Sequence, residues 1–320
     1  MLQCAILDDY QSCALGFADW GSLDGVKVDS IPDAITTLEA LAERLAGYQI
    51  LVAMRERTRF DAALFERLPH LRLLVTTGMW NAAIDLQAAA ARDITVCGTR
   101  GVAYPAPELA WGLLLALARH IPAEVASLRA GKRWQTHIGV GLCGKTLGIV
   151  GLGKIGSRIA RYAQAFEMPV IAWSPHLTDE RCKSVGVERA SSLDDLLQRA
   201  DVVTLHMVLA ESTRGMIGAR ELALLKPSAL VVNTSRGPLI DETALIQTLT
   251  ENRIAGAALD VYDTEPLPVE HPFRRLSNVV ATPHVGYVAS ENYQIFYTDA
   301  VEDIQAWLKS SPARVLSKAK

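Results

Sequence analysis

Short apolar runs alternate with segments of helical spacing along the first hundred residues. The apolar runs, rich in β-branched residues and leucine, are "CAILDD", "YQILVAM", "LRLLVTTG" and "ITVCGT". Between them, "LEALAERLAG" and "FDAALFERL" place apolar residues three and four positions apart, which is typical of amphipathic helices. This alternation predicts βαβ units and a parallel sheet.

The stretch that follows, "YPAPELAWGLLLALARHI", predicts a strongly apolar helix. Prolines stand where this helix is expected to begin, and Pro122 stands where it is expected to break. Its most apolar part, "LAWGLLLALA", has about ten residues, whereas roughly 20 are needed to cross a bilayer. We therefore interpret it as a core helix.

A second series of strands begins at Gly144. Its strands are "KTLGIVG", "PVIAWS", "VVTLHM", "ALVVNTS", "IAGAALDV" and "NVVATPH", and most are apolar throughout. Such strands are typical of a sheet covered by helices on both faces. The tail, "ENYQIFYTDAVEDIQAWLKSS", predicts an amphipathic helix with Phe296, Ala300, Ile304 and Trp307 on one side.

The two series predict an α/β protein with two Rossmann-like domains, each a mainly parallel sheet flanked by helices. A chain of 320 residues fits two domains, at roughly 150 residues per domain. We expect the chain to pass between domains near residue 100 and again near 286, with the last helix returning to the first domain. The predicted domains are residues 1–99 with 287–320, and residues 100–286.

Composition narrows the class of protein. The formal net charge of -3 argues against a broad nucleic-acid or anionic-membrane surface. Asp8 and Asp9 come too early for the apolar region of a signal peptide. The five cysteines are scattered without metal-ligand spacing, which predicts reduced thiols in a cytoplasmic protein and no metal site. They are Cys4, Cys13, Cys97, Cys143 and Cys182.

The segment "LGIVGLGKIGSRIA" carries a GxGxxG pattern at Gly151, Gly153 and Gly156. The pattern alone is a weak signal, but here it stands between a predicted strand and a predicted helix. In that setting the first glycine permits a tight turn and the second lets a pyrophosphate approach the main chain. The third lets helix and strand pack closely. A plain turn without a ligand is the alternative, and we favour a dinucleotide site.

The residue that normally selects NAD is absent from this motif. An acidic residue is expected at the end of the second strand, and this chain has Ser174 there. Serine can bond a ribose hydroxyl without repelling a 2′-phosphate. However, the only arginine that follows closely, Arg181, lies seven positions further along. The sequence favours NAD and leaves NADP open.

Three polar residues follow predicted strands of the second series: Arg236 in "VVNTSRGPLID", Glu265 in "ALDVYDTEPLP" and His284 in "VVATPHVGY". They would emerge at the carboxyl edge of one sheet, where open α/β folds bind ligands. An arginine grips carboxylates, a histidine carries protons near neutral pH, and a carboxylate orients the imidazole. Each residue alone is commonly structural, as a core histidine, a turn residue or a helix cap. Together, behind a nucleotide motif, they indicate catalysis.

The chain resembles the D-isomer-specific 2-hydroxyacid dehydrogenase family over nearly its whole length. Four ordered blocks carry the resemblance: "GKTLGIVGLGKIG", "LLKPSALVVNTSRGPLIDETAL", "GAALDVYDTEPLP" and "NVVATPHVGY". The resemblance implies hydride transfer between a nicotinamide and C2 of a D-2-hydroxy acid or 2-keto acid. It implies an active site in an interdomain cleft, with Arg236 binding the substrate carboxylate, Glu265 pairing with His284, and His284 acting as acid and base.

The resemblance also implies binding roles for other residues. Substrate would contact N–H groups around Thr77, Gly78 and Met79, in "TTGMWNAAID", although a plain turn explains Gly78 almost as well. In "AMRERTRF", Arg55 and Arg57 stand two positions apart after a predicted strand, and they would lie on the same side if the strand continues. Arg55 would hold a second anionic group, as arginines in a similar stretch of phosphoglycerate dehydrogenases do; a solvated basic turn is the alternative. Besides the three glycines, cofactor contacts would come from Lys154, Ile155, Ser174, His206, Thr213, Thr234 and Asp260, the last holding the nicotinamide carboxamide.

Besides Ser174, which stands where the family has an acidic residue, two further positions depart from the family pattern. Met-Val-Leu follows His206 where a proline-containing turn is usual, and Arg100 stands where proline is frequent. The competing hypothesis is a nucleotide-sensing binding protein of the same fold, against which the complete Arg236–Glu265–His284 set argues. A formate dehydrogenase is disfavoured because glutamine is typical where Glu265 stands. Family members are usually homodimers, and residues 101–145 are the candidate interface.

Overall fold

The computed structural model describes residues 1–132 and 134–317, which form two units. One unit comprises Met1–Val102 and Val288–Lys320, and the other comprises Ala103–Tyr287. Each is built on its own sheet, and each sheet is flanked by helices. The α/β class predicted from the alternating pattern is confirmed.

The first unit contains a six-stranded sheet in the order β13-β5-β4-β3-β1-β2. All neighbouring strands are parallel except β13, which pairs antiparallel with β5. The strands are β1 (Leu2–Ile6), β2 (Val26–Ser30), β3 (Ile50–Ala53), β4 (Leu73–Thr76), β5 (Thr95–Gly98) and β13 (Val315–Ser317). The helices are α1 (Leu38–Leu45), α2 (Ala62–Glu66), α3 (Leu86–Ala91) and α11 (Ser290–Leu308).

The second unit contains a seven-stranded, fully parallel sheet in the order β12-β11-β10-β9-β6-β7-β8. The strands are β6 (Leu147–Val150), β7 (Val170–Trp173), β8 (Glu188–Arg189), β9 (Val202–Leu205), β10 (Leu230–Asn233), β11 (Gly256–Leu259) and β12 (Val279–Ala281). The helices are α4 (Pro105–Ala118), α5 (Ile121–Arg129), α6 (Lys154–Ala165), α7 (Asp179–Val185), α8 (Leu193–Arg199), α9 (Ala219–Leu222) and α10 (Glu242–Thr250). Strand order reverses beside β6, and ligands of open α/β sheets bind at the carboxyl ends of the strands at such a point.

Most strands predicted from apolar runs are buried, and those the pattern missed are short or polar. The exception among the predicted strands is β12, whose two valines are half-buried and whose alanine is exposed. Each residue of β3, β4, β5, β6 and β9 is buried, as expected when both faces of a sheet are covered. The missed strands are β2, β8 and β13. β2 carries Lys27 and Asp29, and β8 has two exposed residues. Strands at the edge of a sheet tolerate polar side chains because one side faces solvent.

Helix α4 is a core helix, as its composition predicts. Eight of its fourteen residues are buried, and it packs against α6 and the strands β10, β11 and β12. Pro122 does not break it: α4 ends at Ala118, His120 adopts a left-handed conformation, and Pro122 lies in the first turn of α5. Proline suits that turn because the first N–H groups of a helix have no partner within the helix.

Among the described residues, no single helix has the length and apolar composition to cross a membrane. Helices α4 and α5 meet both criteria only when taken together, as a pair bent by 63°.

Helix α11 confirms the amphipathic tail. Phe296, Ala300 and Ile304 are buried and Trp307 is half-buried, so the predicted stripe faces the interior. The helix belongs to the first unit, although 185 intervening residues (103–287) form the second. The chain therefore enters and leaves the second unit once each.

Candidate active site

The glycine-rich turn joins β6 to α6. Gly151 has φ +102°, a conformation that favours glycine, and a Cβ there would lie 2.5 Å from the carbonyl oxygen of His206. A Cβ on Gly156 would overlap the carbonyl oxygen of Gly151, so helix and strand meet at this glycine. Beside Gly153, by contrast, no heavy atom lies within 4 Å of an added Cβ. The first and third glycines serve packing, and the second faces open space.

This turn fits the pyrophosphate of a dinucleotide. Gly153 is the N-cap of the twelve-residue helix α6, whose first N–H groups have no partner within the helix. Such a helix start attracts an anion through its N–H groups and its dipole. Lys154 is exposed at the first helical position, whereas Ile155 is half-buried and packs against the apolar core. Lys154 is therefore the side chain available to a bound phosphate, and Ile155 contributes its main chain.

Arg181 lies at the same turn, although the sequence places it far along the chain. Its Nε donates to the carbonyl oxygen of Leu152 at 3.2 Å, and its Nη2 donates to Ser157 Oγ at 2.6 Å. Ser157 Oγ in turn donates to the carbonyl oxygen of Gly153 at 2.7 Å. Helix α7 brings the arginine back from β7, where Ser174 follows the last residue of the strand as predicted. A positive charge thus stands beside the glycine-rich turn.

His206 follows β9 and is neutral at physiological pH. Its Nε2 lies 2.9 Å from Thr204 Oγ1 within the same segment. Burial lowers the pKa of His206 to about 4, because desolvation disfavours the charged imidazolium. Thr213 is buried, and its hydroxyl accepts from the Ala210 N–H and donates to the Val208 carbonyl oxygen. Thr213 therefore shapes the loop after β9; its contact with a cofactor stays a prediction, as does that of half-buried Thr234.

The structure brings Glu265 and His284 together. His284 Nδ1 lies 2.5 Å from Glu265 Oε2, and the other carboxylate oxygen accepts the Tyr262 N–H at 3.0 Å. Both side chains are about one-fifth exposed: 22% for Glu265 and 17% for His284. His284 has φ +53°, a conformation uncommon outside glycine and found in turns and at functional sites. The imidazole is thus oriented through Nδ1 by the Glu265 carboxylate.

Asp260 anchors the segment that carries the histidine. It is fully buried. Its Oδ1 accepts from Thr282 Oγ1 at 2.6 Å and from the Val285 N–H at 2.8 Å, and its Oδ2 accepts the Gly286 N–H at 2.8 Å. Burial raises the pKa of Asp260, and these donors oppose the rise by favouring the carboxylate. Asp260 therefore holds both sides of the His284 turn, and the predicted carboxamide contact stays a prediction.

Arg236 follows the neighbouring strand β10 in a loop held by hydrogen bonds. Its Nη1 donates to the carbonyl oxygen of Ser235 at 2.8 Å, and Asn233 Nδ2 donates to the Arg236 carbonyl oxygen at 2.9 Å. Gly237 packs directly on the main chain of Tyr262, where a Cβ would overlap backbone atoms. Since β10, β11 and β12 are parallel neighbours, all three predicted catalytic residues follow the carboxyl ends of adjacent strands.

Arg55, Thr77 and Gly78 lie together in the first unit. The Arg55 N–H donates to Thr77 Oγ1 at 2.8 Å, and Arg55 Nη1 donates to the Thr77 carbonyl oxygen at 3.2 Å. Gly78 has φ +97°, and a Cβ there would overlap the Arg55 guanidinium, so this position needs glycine. Arg55 itself has φ +48°, and β3 ends at Ala53. The strand does not continue, so strand alternation gives no basis for placing Arg55 and Arg57 on one side.

Two of the three N–H groups expected to face a substrate are bonded within the unit. The Thr77 N–H donates to the Ala53 carbonyl oxygen at 3.0 Å, and the Gly78 N–H donates to Thr99 Oγ1 at 2.9 Å. Within the part of the chain that the structure describes, the Met79 N–H makes no hydrogen bond. The Met79 side chain is half-exposed and Trp80 is 60% exposed. This loop therefore exposes one N–H group for hydrogen bonding, that of Met79, and the two apolar side chains of Met79 and Trp80.

Sequence reasoning missed Tyr262 and Thr99, and it did not predict the hydrogen bonds by which Arg181 and Asp260 support these sites. Tyr262 holds Glu265 through its N–H and, through its hydroxyl, the Thr282 carbonyl oxygen at 2.8 Å. Thr99 Oγ1 accepts the Gly78 N–H, and Arg181 Nε donates to the Leu152 carbonyl oxygen in the glycine-rich turn. Asp260, predicted only to contact the cofactor, also accepts the Val285 N–H beside His284. No local pattern marks these side chains, because each bonds to a segment remote in sequence.

Comparison with known proteins identifies the family. The model of the D-isomer specific 2-hydroxyacid dehydrogenase NAD binding domain matches residues 111–286. A glyoxylate reductase of Aeropyrum pernix is 37% identical over 285 residues, 86% of this chain and 83% of the relative. A D-3-phosphoglycerate dehydrogenase of Methanocaldococcus jannaschii is 38% identical over 282 residues, 87% of this chain and 53% of the relative. The chain thus spans about half the length of the phosphoglycerate dehydrogenases that it matches.

The fold agrees with a solved structure. A phosphoglycerate oxidoreductase from Vibrio cholerae superposes with a TM-score of 0.92 and 37% identity, covering 97% of this chain and all of the other. The matched range of this chain includes the glycine-rich turn, Arg236, Glu265 and His284. The chain belongs to the D-isomer-specific 2-hydroxyacid dehydrogenase family, and residues 111–286 match the NAD-binding domain of that family.

Proposed function

We propose that this protein is an NAD-dependent oxidoreductase that interconverts a D-2-hydroxy acid and the corresponding 2-keto acid. The observation that carries the proposal is the 2.5 Å contact between His284 Nδ1 and Glu265 Oε2. This pair lies at the carboxyl edge of a sheet whose first strand ends in a dinucleotide-binding turn. An oriented acid–base group beside a nicotinamide site is what such a reaction needs.

His284 holds and moves the proton in this mechanism. With Nδ1 bonded to Glu265, the proton exchanged with the substrate is carried on Nε2. In the direction of reduction, Nε2 gives its proton to the substrate C2 oxygen, and Glu265 stabilises the imidazolium before transfer. In oxidation, the neutral imidazole accepts the hydroxyl proton. Tyr262 and Asp260 keep the pair in place through the bonds described above.

Arg236 binds the substrate carboxylate and stabilises negative charge on the C2 oxygen. A guanidinium suits both tasks because its donors form a fixed fork that matches a carboxylate. In the first unit, the Met79 N–H would bind the same class of group, and Arg55 would place a second cation beside it. The half-exposed Met79 side chain and Trp80 favour a substrate that also has apolar surface.

The cofactor would be held by the second unit. Gly151, Gly153 and the start of α6 fit its pyrophosphate, and Ser174 would bond the adenosine ribose. His206, Thr213, Thr234 and Asp260 would complete the site. When bound, the nicotinamide supplies or accepts the hydride at substrate C2. We accordingly assign substrate binding to the first unit, which the sequence predicted as residues 1–99 with 287–320, and cofactor binding to the second, which it predicted as residues 100–286; the units of the structure divide at residues 102 and 288.

Absorbance at 340 nm tests the proposal. Purified protein mixed with NADH is expected to consume it when 2-keto acids are added, with glyoxylate, hydroxypyruvate and larger apolar 2-keto acids as the panel. NADPH is the parallel arm, because Ser174 does not repel a 2′-phosphate and Arg181 lies beside the turn. Protein that binds either dinucleotide but turns over no substrate of the panel would instead be the nucleotide sensor.

Assembly and location extend the proposal. We propose a homodimer that uses an apolar face on α5 and the residues after it. The side chains of this face are 41–94% exposed and comprise Ile121, Val125, Leu128, Trp134, Ile138 and Val140. Exposed large apolar side chains that lie close together in sequence are candidates for a protein interface. We propose a cytoplasmic location from the five cysteines, all within the described residues and all free thiols.

A further inference from the structure

The segment Gly98–Arg100 packs against the Thr77–Met79 loop. A Cβ on Gly98 would lie 2.7 Å from the Gly78 carbonyl oxygen and 3.2 Å from Met79 Cα, so the two main chains touch. Thr99 is fully buried, and its N–H donates to the Thr76 carbonyl oxygen at 3.1 Å. The segment Gly98–Arg100, at the end of β5, therefore sets the position of the Thr77–Met79 loop.

The Thr99 hydroxyl connects the two segments. Thr99 Oγ1 accepts the Gly78 N–H at 2.9 Å and donates to the Arg100 carbonyl oxygen at 3.1 Å. One hydroxyl thus satisfies a main-chain donor of the loop and a main-chain acceptor of its support. Since a buried polar group without a partner is unfavourable, the loop is held where both bonds can form.

Helix α11 holds the segment that follows β5 through the side chains of Asp299 and Asn292. Asp299 is buried, and its carboxylate accepts from the Arg100 N–H at 2.7 Å, from Arg100 Nε at 3.1 Å and from Arg100 Nη2 at 2.6 Å. Burial opposes the charge of Asp299, and the Arg100 donors hold its pKa below the ordinary value. Asn292 Oδ1 accepts the Val102 N–H at 2.8 Å. Arg100, which stands where proline is frequent in the family, is therefore paired with Asp299.

We propose that Thr99 is a positioning residue for the substrate loop, and that the Arg100–Asp299 pair acts through it. The Gly78 peptide orients the neighbouring Met79 N–H, and the Thr77 carbonyl oxygen holds the Arg55 guanidinium. Moving that peptide therefore moves both groups assigned to the substrate. This inference rests on the proposed function, because it takes the loop to bind the 2-keto acid carboxylate.

Steady-state kinetics of Thr99→Val test the proposal. Valine keeps the shape of threonine and removes the hydroxyl, so KM for the 2-keto acid is expected to rise about tenfold or more, since small misplacements of a binding group weaken binding strongly. KM for NADH is expected to stay within about twofold, because the residues assigned to the cofactor belong to the other unit. Thr99→Ser, which restores the hydroxyl, is expected to recover most of the loss. Thr95→Val on the same strand is the matched control, with wild-type KM expected.

Hydrogen exchange supplies a readout independent of turnover. Amides of residues 76–81 are expected to exchange faster in Thr99→Val than in wild type, and Thr95→Val is expected to leave them unchanged. If Thr99→Val does not fold, Arg100→Met replaces it: its side chain is 66% exposed, and the same changes are expected at smaller size.

The outcomes separate the two proposals. A wild-type enzyme that turns over 2-keto acids, with a Thr99→Val variant of unchanged KM and unchanged exchange, overturns the positioning role alone. A wild-type protein without turnover overturns the proposed function, and faster exchange in Thr99→Val would then establish only that Thr99 orders the loop. A rise in the KM for NADH equal to that for the keto acid would mean a general structural defect and would also overturn the inference.

Discussion

Replacing His284 by alanine is expected to lower kcat for 2-keto acid reduction by about 10²–10⁴-fold, the usual contribution of a positioned general acid. Alanine removes both the proton carrier and the partner of Glu265, whose other oxygen stays bonded to the Tyr262 N–H. The dissociation constant for NADH is expected to change by less than about threefold, because the glycine-rich turn is untouched. Stopped-flow absorbance and NADH fluorescence titration measure the two quantities.

The matched control for this experiment is His271→Ala. His271 Nε2 lies 3.1 Å from Glu242 Oε1, so the second unit contains another histidine–glutamate pair outside the proposed site. Loss of that pair is expected to leave kcat near the wild-type value. If the two variants lowered kcat equally, or if His284→Ala also lost dinucleotide binding, His284 would be a structural residue.

Replacing Gly153 by alanine is expected to raise the dissociation constant for NADH at least about tenfold, or ~1.4 kcal/mol. The structure has nothing within 4 Å of the added methyl group, so the protein itself is not crowded. The loss would come from the methyl group occupying the space assigned to the pyrophosphate. The melting temperature is expected to fall by only a few degrees, because alanine is a poorer helix N-cap than glycine by about 1 kcal/mol or less.

Gly156→Ala provides the contrasting variant three residues away. Its methyl group would overlap the Gly151 carbonyl oxygen, and overpacking of this kind destabilises a protein by about 1–3 kcal/mol. Differential scanning fluorimetry is expected to show a lower melting temperature for Gly156→Ala than for Gly153→Ala. Unchanged NADH affinity in a folded Gly153→Ala variant would contradict the assignment of this turn to the dinucleotide.

The glycine-rich turn was predictable because its causes are local. Gly151 needs a left-handed conformation, and Gly156 meets a residue five positions earlier, so spacing in the chain reports the constraint directly. The placement of Arg236, Glu265 and His284 was predictable for a different reason. Parallel strands present their carboxyl ends at one edge, so residues that follow adjacent strands share that edge wherever they stand in the sequence.

Residues joined by remote contacts were not predictable. The sequence shows Arg181 as seven residues beyond Ser174, yet α7 returns its guanidinium to Leu152 and Ser157. Arg55 and Arg57 are spaced for one face of a strand, but the strand ends at Ala53 and Arg55 takes a left-handed conformation. A strand pattern cannot predict where the strand stops when the stop is caused by contacts with another loop.

The sequence by itself determined the α/β class, the dinucleotide turn and the three residues proposed for catalysis, since these follow from periodicity, glycine spacing and strand order. Only the tertiary structure decided which groups hold the loops of the proposed site in place. Asp260 anchors the His284 turn, and Thr99 with Arg100 and Asp299 supports the Gly78 loop. The reason is physical: a buried hydrogen bond forms wherever the folded chain brings a donor and an acceptor within about 3 Å, and linear spacing does not encode that distance.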